Sequence, residues 1–184
     1  MSVYLYPSSG PFGAQCQAVI EDQGLTLAPT PAGALLAIAP MLRRVLPRHE
    51  WSRPTLGTLI FHPSLLPRHR GPDAVKWALY GGDAFTGVTW FWCDDGLDTG
   101  DICEQELVAV PPGITPRQLY AEHLIPAGIR SLERVMAAVA VGAPLRRVPQ
   151  AHSAATYEPA FPRAGAVTPW TPSDPMNGRK GDRD

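Results

Sequence analysis

Ala34-Leu35-Leu36-Ala37-Ile38-Ala39 is a continuous apolar run with no polar residue at either alternate position. A strand of that kind is buried on both faces, as in a parallel sheet covered by helices. Upstream, Val3-Tyr4-Leu5-Tyr6 reads as a short strand, Ala14 to Gln23 as a helix stopped by Gly24, and Leu25 to Ala28 as a second strand. That is a βαβ opening. A further βαβ unit takes about 30 residues, and the chain between Leu25 and Ala34 has no room for one. The expected fold is therefore α/β: a truncated, Rossmann-like domain with a mostly parallel sheet and a shortened N-terminal half. The loop Gly10-Pro11-Phe12-Gly13 opens the first helix, but it is not GxGxxG and is weak evidence for a phosphate site.

Downstream, Thr55 to Phe61 is the next strand and His62 follows it at once. The ends of parallel strands are where α/β proteins place their chemistry. Asp73 to Tyr80 reads as a short helix, Gly87 to Cys93 as a strand and Ile102 to Val110 as extended. One long helix is expected from Pro116 to Val141, with a core stripe at Ile125, Ile129, Leu132, Met136 and Val139. Thr115 suits its N-cap, Pro126 should kink it, and Gly142 and Pro144 end it. Residues 1–160 are expected to form one folded domain. Residues 161–184 read as a Pro-rich extension and flexible tail.

The 184 residues carry 16 Lys plus Arg against 17 Asp plus Glu, a net charge of -1. That balance argues against nucleic acid as the main partner. No apolar window approaches the about 18 residues of a membrane span, and the first residues do not read as a signal peptide. Three cysteines, Cys16, Cys93 and Cys103, show no CxxC spacing. Together these features point to a cytoplasmic protein without a disulfide framework.

Two loops carry the polar chemistry. One is His62-Pro63-Ser64-Leu65-Leu66-Pro67-Arg68-His69-Arg70-Gly71, and the other is Asp94-Asp95-Gly96-Leu97-Asp98-Thr99-Gly100-Asp101. Each follows a strand, so both are expected at one edge of the sheet. A carboxylate beside a histidine raises its pKa and orients its ring, and the imidazolium can stabilise an oxyanion. The same residues could instead hold a metal, but no ligand spacing such as HExxH or an EF-hand is present. His69 is expected in an exposed loop. Cys93, beside Asp94 and Asp95, reads as a packing residue because a reactive thiolate wants positive surroundings. Trp90 and Trp92 share one face of their strand.

The first loop together with Gly96-Leu97-Asp98-Thr99-Gly100-Asp101 resembles the formyltransferases that use 10-formyltetrahydrofolate. The segments Ile60 to Gly71 and Phe91 to Asp101 are most similar to the hydrolase domain of 10-formyltetrahydrofolate dehydrogenases. The likeness runs, weakly at its ends, from Ala34 to Glu158. It implies that His62 and Asp98 are the catalytic pair, with Ser64 counted beside them as shaping the loop. It implies a folate site built from Met41, Leu42, Arg43, Val45, Ile60, Trp92, Cys93, Asp94, Asp95, Gly96 and Leu97. Arg43 and Arg44 would pair with the folate's glutamate tail, or form a solvated face. Most of the family has asparagine where this chain has Ile60. The hydrolase domain has isoleucine, and an apolar group there weakens the case for ordinary amine formylation.

The resemblance implies no metal. It implies 10-formyltetrahydrofolate as formyl donor, and water, a thiol carrier or a small molecule as acceptor. The chain shows no second domain of the kind used to bind tRNA, so tRNA is not expected as acceptor. Two alternatives stay open: an N-formyltransferase for a small amine such as an amino sugar, and a non-catalytic folate-binding protein. The shortened N-terminal half should leave apolar surface that a homodimer would cover.

Overall fold

The apolar run forms the centre of a six-stranded sheet in the computed structural model, which describes residues 1–8, 10–42 and 44–162. Strand β3 spans Leu36–Ala39, and all four residues are buried. Its neighbours are β1 (Ser2–Leu5) on one side and β4 (Thr58–His62) on the other, both parallel to it. Strand β2 (Thr26–Leu27) lies outside β1, also parallel. Strand β5 (Phe85–Trp92) pairs antiparallel with β4, and β6 (Ile102–Ala109) antiparallel with β5. The order is β2-β1-β3-β4-β5-β6. The sheet is thus mostly parallel, with β5 as the one reversed strand.

The connections between the N-terminal strands are short. Helix α1 (Pro11–Asp22) joins β1 to β2. It begins three residues before the expected Ala14, because Pro11 fits the first helical turn, where its missing N–H costs nothing. The crossover from β2 to β3 contains no helix, the described residues of the one from β3 to β4 hold the single turn α2 (Arg48–Trp51), and α3 (Ala74–Tyr80) lies between β4 and β5. One sheet face is therefore covered by α1 and by α5 (Ile125–Ala140), which enclose Val3, Ile38, Leu59, Phe61 and Trp90. Side chains alternate along a strand, so Ile60 and His62 point to the opposite face. That face carries a smaller cluster around Tyr6, Ala37, Ala39 and Leu46.

The helix expected from Pro116 to Val141 is divided. It starts as α4 (Pro116–Gln118) under a capping box between Thr115 and Gln118. It widens into a π-helical turn at Leu119–Leu124 and continues as α5. The expected disturbance at Pro126 lies in the turn just before it. Proline lacks an N–H and its ring crowds the carbonyl four residues back, and a wider turn relieves both.

Helix α5 lies close on the sheet because Gly128 has no side chain. A Cβ there would sit 2.6 Å from the Phe61 ring, which packs edge-on against Phe12. The Trp90 indole also donates to the Gly128 carbonyl at 3.0 Å. Gly128→Val should therefore destabilise the fold by about 1–3 kcal/mol through overpacking. Urea unfolding followed by tryptophan fluorescence measures this, and unchanged stability would contradict the close-approach account.

Candidate functional site

His62 is the last residue of β4 and is 6% exposed. Its Nε2 lies 2.7 Å from the His69 carbonyl oxygen. A carbonyl only accepts, so Nε2 carries the proton and Nδ1 is the free nitrogen of the neutral ring. Nδ1 faces Asp98 Oδ2 at 3.6 Å. Burial lowers the His62 pKa. The Asp98 charge and the His69 carbonyl push it upward but do not win, and His69 adds to the lowering. The sequence-based expectation of a raised pKa is thus reversed. Desolvating the cation of a fully enclosed ring outweighs one carboxylate beyond hydrogen-bond distance.

The two polar loops do not leave the sheet at one edge, contrary to expectation. Because β5 is antiparallel to β4, Trp92 lies opposite Leu59, at the start of β4. The Cys93 N–H donates to the Thr58 carbonyl at that end. The loop then returns along the sheet until Asp98 meets His62. Asp98 has a left-handed φ of 53°, and its carboxylate accepts the Gly71 N–H at 2.7 Å. Gly71 itself has φ 96°, and a Cβ there would collide with the Glu158 carbonyl. Gln150 fastens the arrangement from behind. Its amide donates to the carbonyls of Asp98 (3.0 Å) and Gly100 (2.7 Å). Its oxygen accepts two bonds from the fully buried Arg70 guanidinium.

His62 and Asp98 open into a cleft of about 1050 Å³. Of the residues expected to bind a ligand, Met41, Leu42, Val45, Ile60, Cys93, Asp94, Gly96 and Leu97 line it, as does Arg44. Trp92 does not. It packs on the helix-covered face, under the Arg147 guanidinium 3.7 Å from its ring. Asp95 faces away and pairs with Arg48 at 3.3 Å. Arg43 lies outside the described residues. Ser64 is fully buried outside the cleft lining, and its hydroxyl donates to the Arg68 carbonyl at 2.6 Å. Cys93 faces the cleft, but burial and the carboxylates of Asp94, Asp95 and Asp98 push its thiol up to about 12. That leaves it a poor nucleophile. Among the described residues, no group of three or more His, Cys, Asp and Glu side chains is arranged to hold a metal.

His69 is not exposed, as its sequence context suggested. It is 4% exposed, with Asp83 at one ring nitrogen (2.8 Å) and Glu158 at the other (3.2 Å). Its partners lie 14 and 89 residues away in sequence, so nothing local announces them. The same holds for Gln150 and for Lys76, Thr115 and Tyr120, which line the far side of the cleft. The Pro-rich extension begins as part of the body: Phe161 packs against Trp77, and its N–H donates to Asp73. The rest of it, residues 163–184, lies outside the described residues.

Residues 20–129 match the family described as "Formyl transferase". Cytosolic 10-formyltetrahydrofolate dehydrogenase from Mus musculus is 41% identical over 138 residues, 75% of this chain and 15% of that protein. The Homo sapiens protein of the same name is 44% identical over 127 residues, 68% of this chain and 14% of that protein. The chain thus spans about 15% of the length of these relatives. HypX from Aquifex aeolicus, solved in complex with tetrahydrofolic acid, shares the fold, with a TM-score of 0.72 at 18% identity. That likeness covers 88% of this chain and 30% of HypX.

The buried neutral ring of His62 makes stability depend on pH. Its pKa is lower in the folded chain than its ordinary value of 6.5. The unfolded chain therefore takes up the proton first as the pH falls. The contribution is full above about pH 6.5 and declines below it. Urea midpoints compared between pH 7.5 and pH 5.5 should fall less for His62→Gln than for the unaltered protein. Equal falls would contradict the buried neutral ring.

Proposed function

Because the chain belongs to the formyl transferase family, we propose that it removes the formyl group from 10-formyltetrahydrofolate, by hydrolysis or by transfer, and releases tetrahydrofolate. The observation that carries this reading is the meeting of His62 Nδ1 and Asp98 at the polar end of an otherwise largely apolar cleft. A cleft of about 1050 Å³ has room for a pteridine and its aryl chain. Met41, Leu42, Val45, Ile60 and Leu97 supply apolar cover for ring faces, and the loop from Cys93 to Leu97 supplies backbone polar groups.

The ring starts neutral, with its free electron pair at Nδ1. His62 accepts the nucleophile's proton as the nucleophile bonds to the formyl carbon. Asp98 stabilises the resulting imidazolium, which can then donate to the oxygen that has gained charge. The proton finally passes to N10 as the carbon–nitrogen bond breaks. With water as nucleophile the products are formate and tetrahydrofolate. With a carrier thiol or a small amine, they are the formylated acceptor and tetrahydrofolate. Ile60 places an apolar group in the cleft lining, which favours water or a thiol over an amine needing a polar donor at that place. We place the reaction in the cytoplasm, which suits the free thiols of Cys16, Cys93 and Cys103. We also propose a homodimer as the working form, covering exposed apolar side chains such as Phe85 and Leu107.

Tetrahydrofolate release from 10-formyltetrahydrofolate tests this reading, with no acceptor, with a thiol and with a panel of amines. His62→Ala should slow release by about 10²–10⁴-fold. Asp98→Asn should abolish turnover while folate affinity, followed by tryptophan quenching, stays within a few-fold. Tight folate binding with no release under any condition would sink the enzyme reading and leave a folate-binding protein.

A further inference from the structure

We infer that His69 is a positioning residue for His62, its backbone carbonyl fixing which nitrogen of the His62 ring carries the proton. The inference rests on the reading of His62 as the base and names what keeps that base in working form. A neutral imidazole has two tautomers, and only one leaves the electron pair at Nδ1, facing Asp98 and the cleft. The His69 carbonyl, 2.7 Å from Nε2, selects that one.

The carbonyl points at His62 because His69 adopts φ 56°. That left-handed backbone is uncommon for any residue but glycine, although Asn, Asp and His enter it more readily than others. Three contacts hold His69 there. Its ring spans Asp83 and Glu158, and its N–H donates to the Thr156 hydroxyl at 2.8 Å. All three come from outside the loop itself. Asp83 precedes β5, whereas Thr156 and Glu158 belong to the C-terminal segment, which also bonds to the backbone of Arg70 on both sides. Asp83 is in turn held by Arg68, 2.9 Å away. Burial pushes the Asp83 carboxyl up, but His69 and Arg68 together hold it below its ordinary range.

The His69 side chain is outside the cleft lining, so this buried polar clamp does not face the cleft. Among the described residues, these charged and titratable groups surround it. Asp83 and Glu158 face the ring, Arg68 acts through Asp83, and His62 with Asp98 lies beyond the carbonyl. A clamp on the ring therefore becomes an orientation of the carbonyl, and the carbonyl becomes a tautomer of His62.

The test combines ¹⁵N NMR of histidine-labelled protein with kinetics. In the unaltered protein, the His62 nitrogens should report the Nε2–H form above pH 7. His69→Phe keeps the ring volume and loses both carboxylate contacts. It should shift His62 toward a mixture of tautomers and lower kcat by about 10–100-fold, part of the full acid–base contribution. The KM for the folate should stay within twofold. His69→Asn, which tolerates a left-handed backbone, should restore most of the tautomer and of kcat. Should His69→Phe fail to fold, Thr156→Val removes the backbone anchor alone and should move both readouts in the same direction. A folded variant that keeps the Nε2–H tautomer and the unaltered kcat overturns the inference. So does equal loss in the Asn and Phe variants, which would put the effect in the ring and not in the carbonyl. If His62→Ala leaves turnover intact, the functional reading falls, and the tautomer measurement still decides the positioning.

Discussion

Strand β5 runs antiparallel to β4, so the chain leaving Trp92 starts from the end of the sheet remote from His62. It must travel back along about four residues of β4, roughly 13 Å at strand spacing. A free loop making that return would pay in conformational entropy for each residue fixed. Here the return is pinned by the Gly71 N–H on the Asp98 carboxylate and by Gln150 on the Asp98 and Gly100 carbonyls. The left-handed backbone at Asp98 persists because these bonds over-determine it.

The two nitrogens of the His62 ring have different surroundings. Nε2 bonds to the His69 carbonyl, and Nδ1 faces Asp98. Burial keeps the ring neutral and Nδ1 unprotonated, at the cost of making it a weaker base. The nearby thiol of Cys93 stays protonated among carboxylates, so it does not compete for the same role.

Much of this was legible in the sequence, for reasons that differ by element. The apolar run of β3 and the stripe of α5 are local patterns, and local patterns survive folding. His62 and Asp98 were legible as residues of two motif-bearing loops, although not the path that joins them. Strand direction depends on pairing partners, and nothing in Gly87 to Cys93 states that the strand is reversed. His69 was misread because its flanks, Arg68 and Arg70, look like those of a solvated turn. Its burial comes from Asp83 and Glu158, one of them 89 residues distant. The family resemblance places Trp92 at the ligand, whereas its residue type suits core packing, and alternation along β5 turns it to the helix-covered face.

Arg70, fully buried, binds Gln150 and Tyr157, and Gln150 in turn binds Asp98. The three segments so joined, around residues 70, 98 and 150, are far apart in the chain. Contacts of that range form late, since loop closure is paid for before it is rewarded. During synthesis the sheet can assemble once β6 has emerged from the ribosome, whereas the clasp must wait for residues 150–158. A nascent chain would thus hold a packed core before Asp98 was fastened beside His62. Its unpaired Arg70 would stay hydrated in the interval, and the segment of residues 150–158 would complete the arrangement around Asp98.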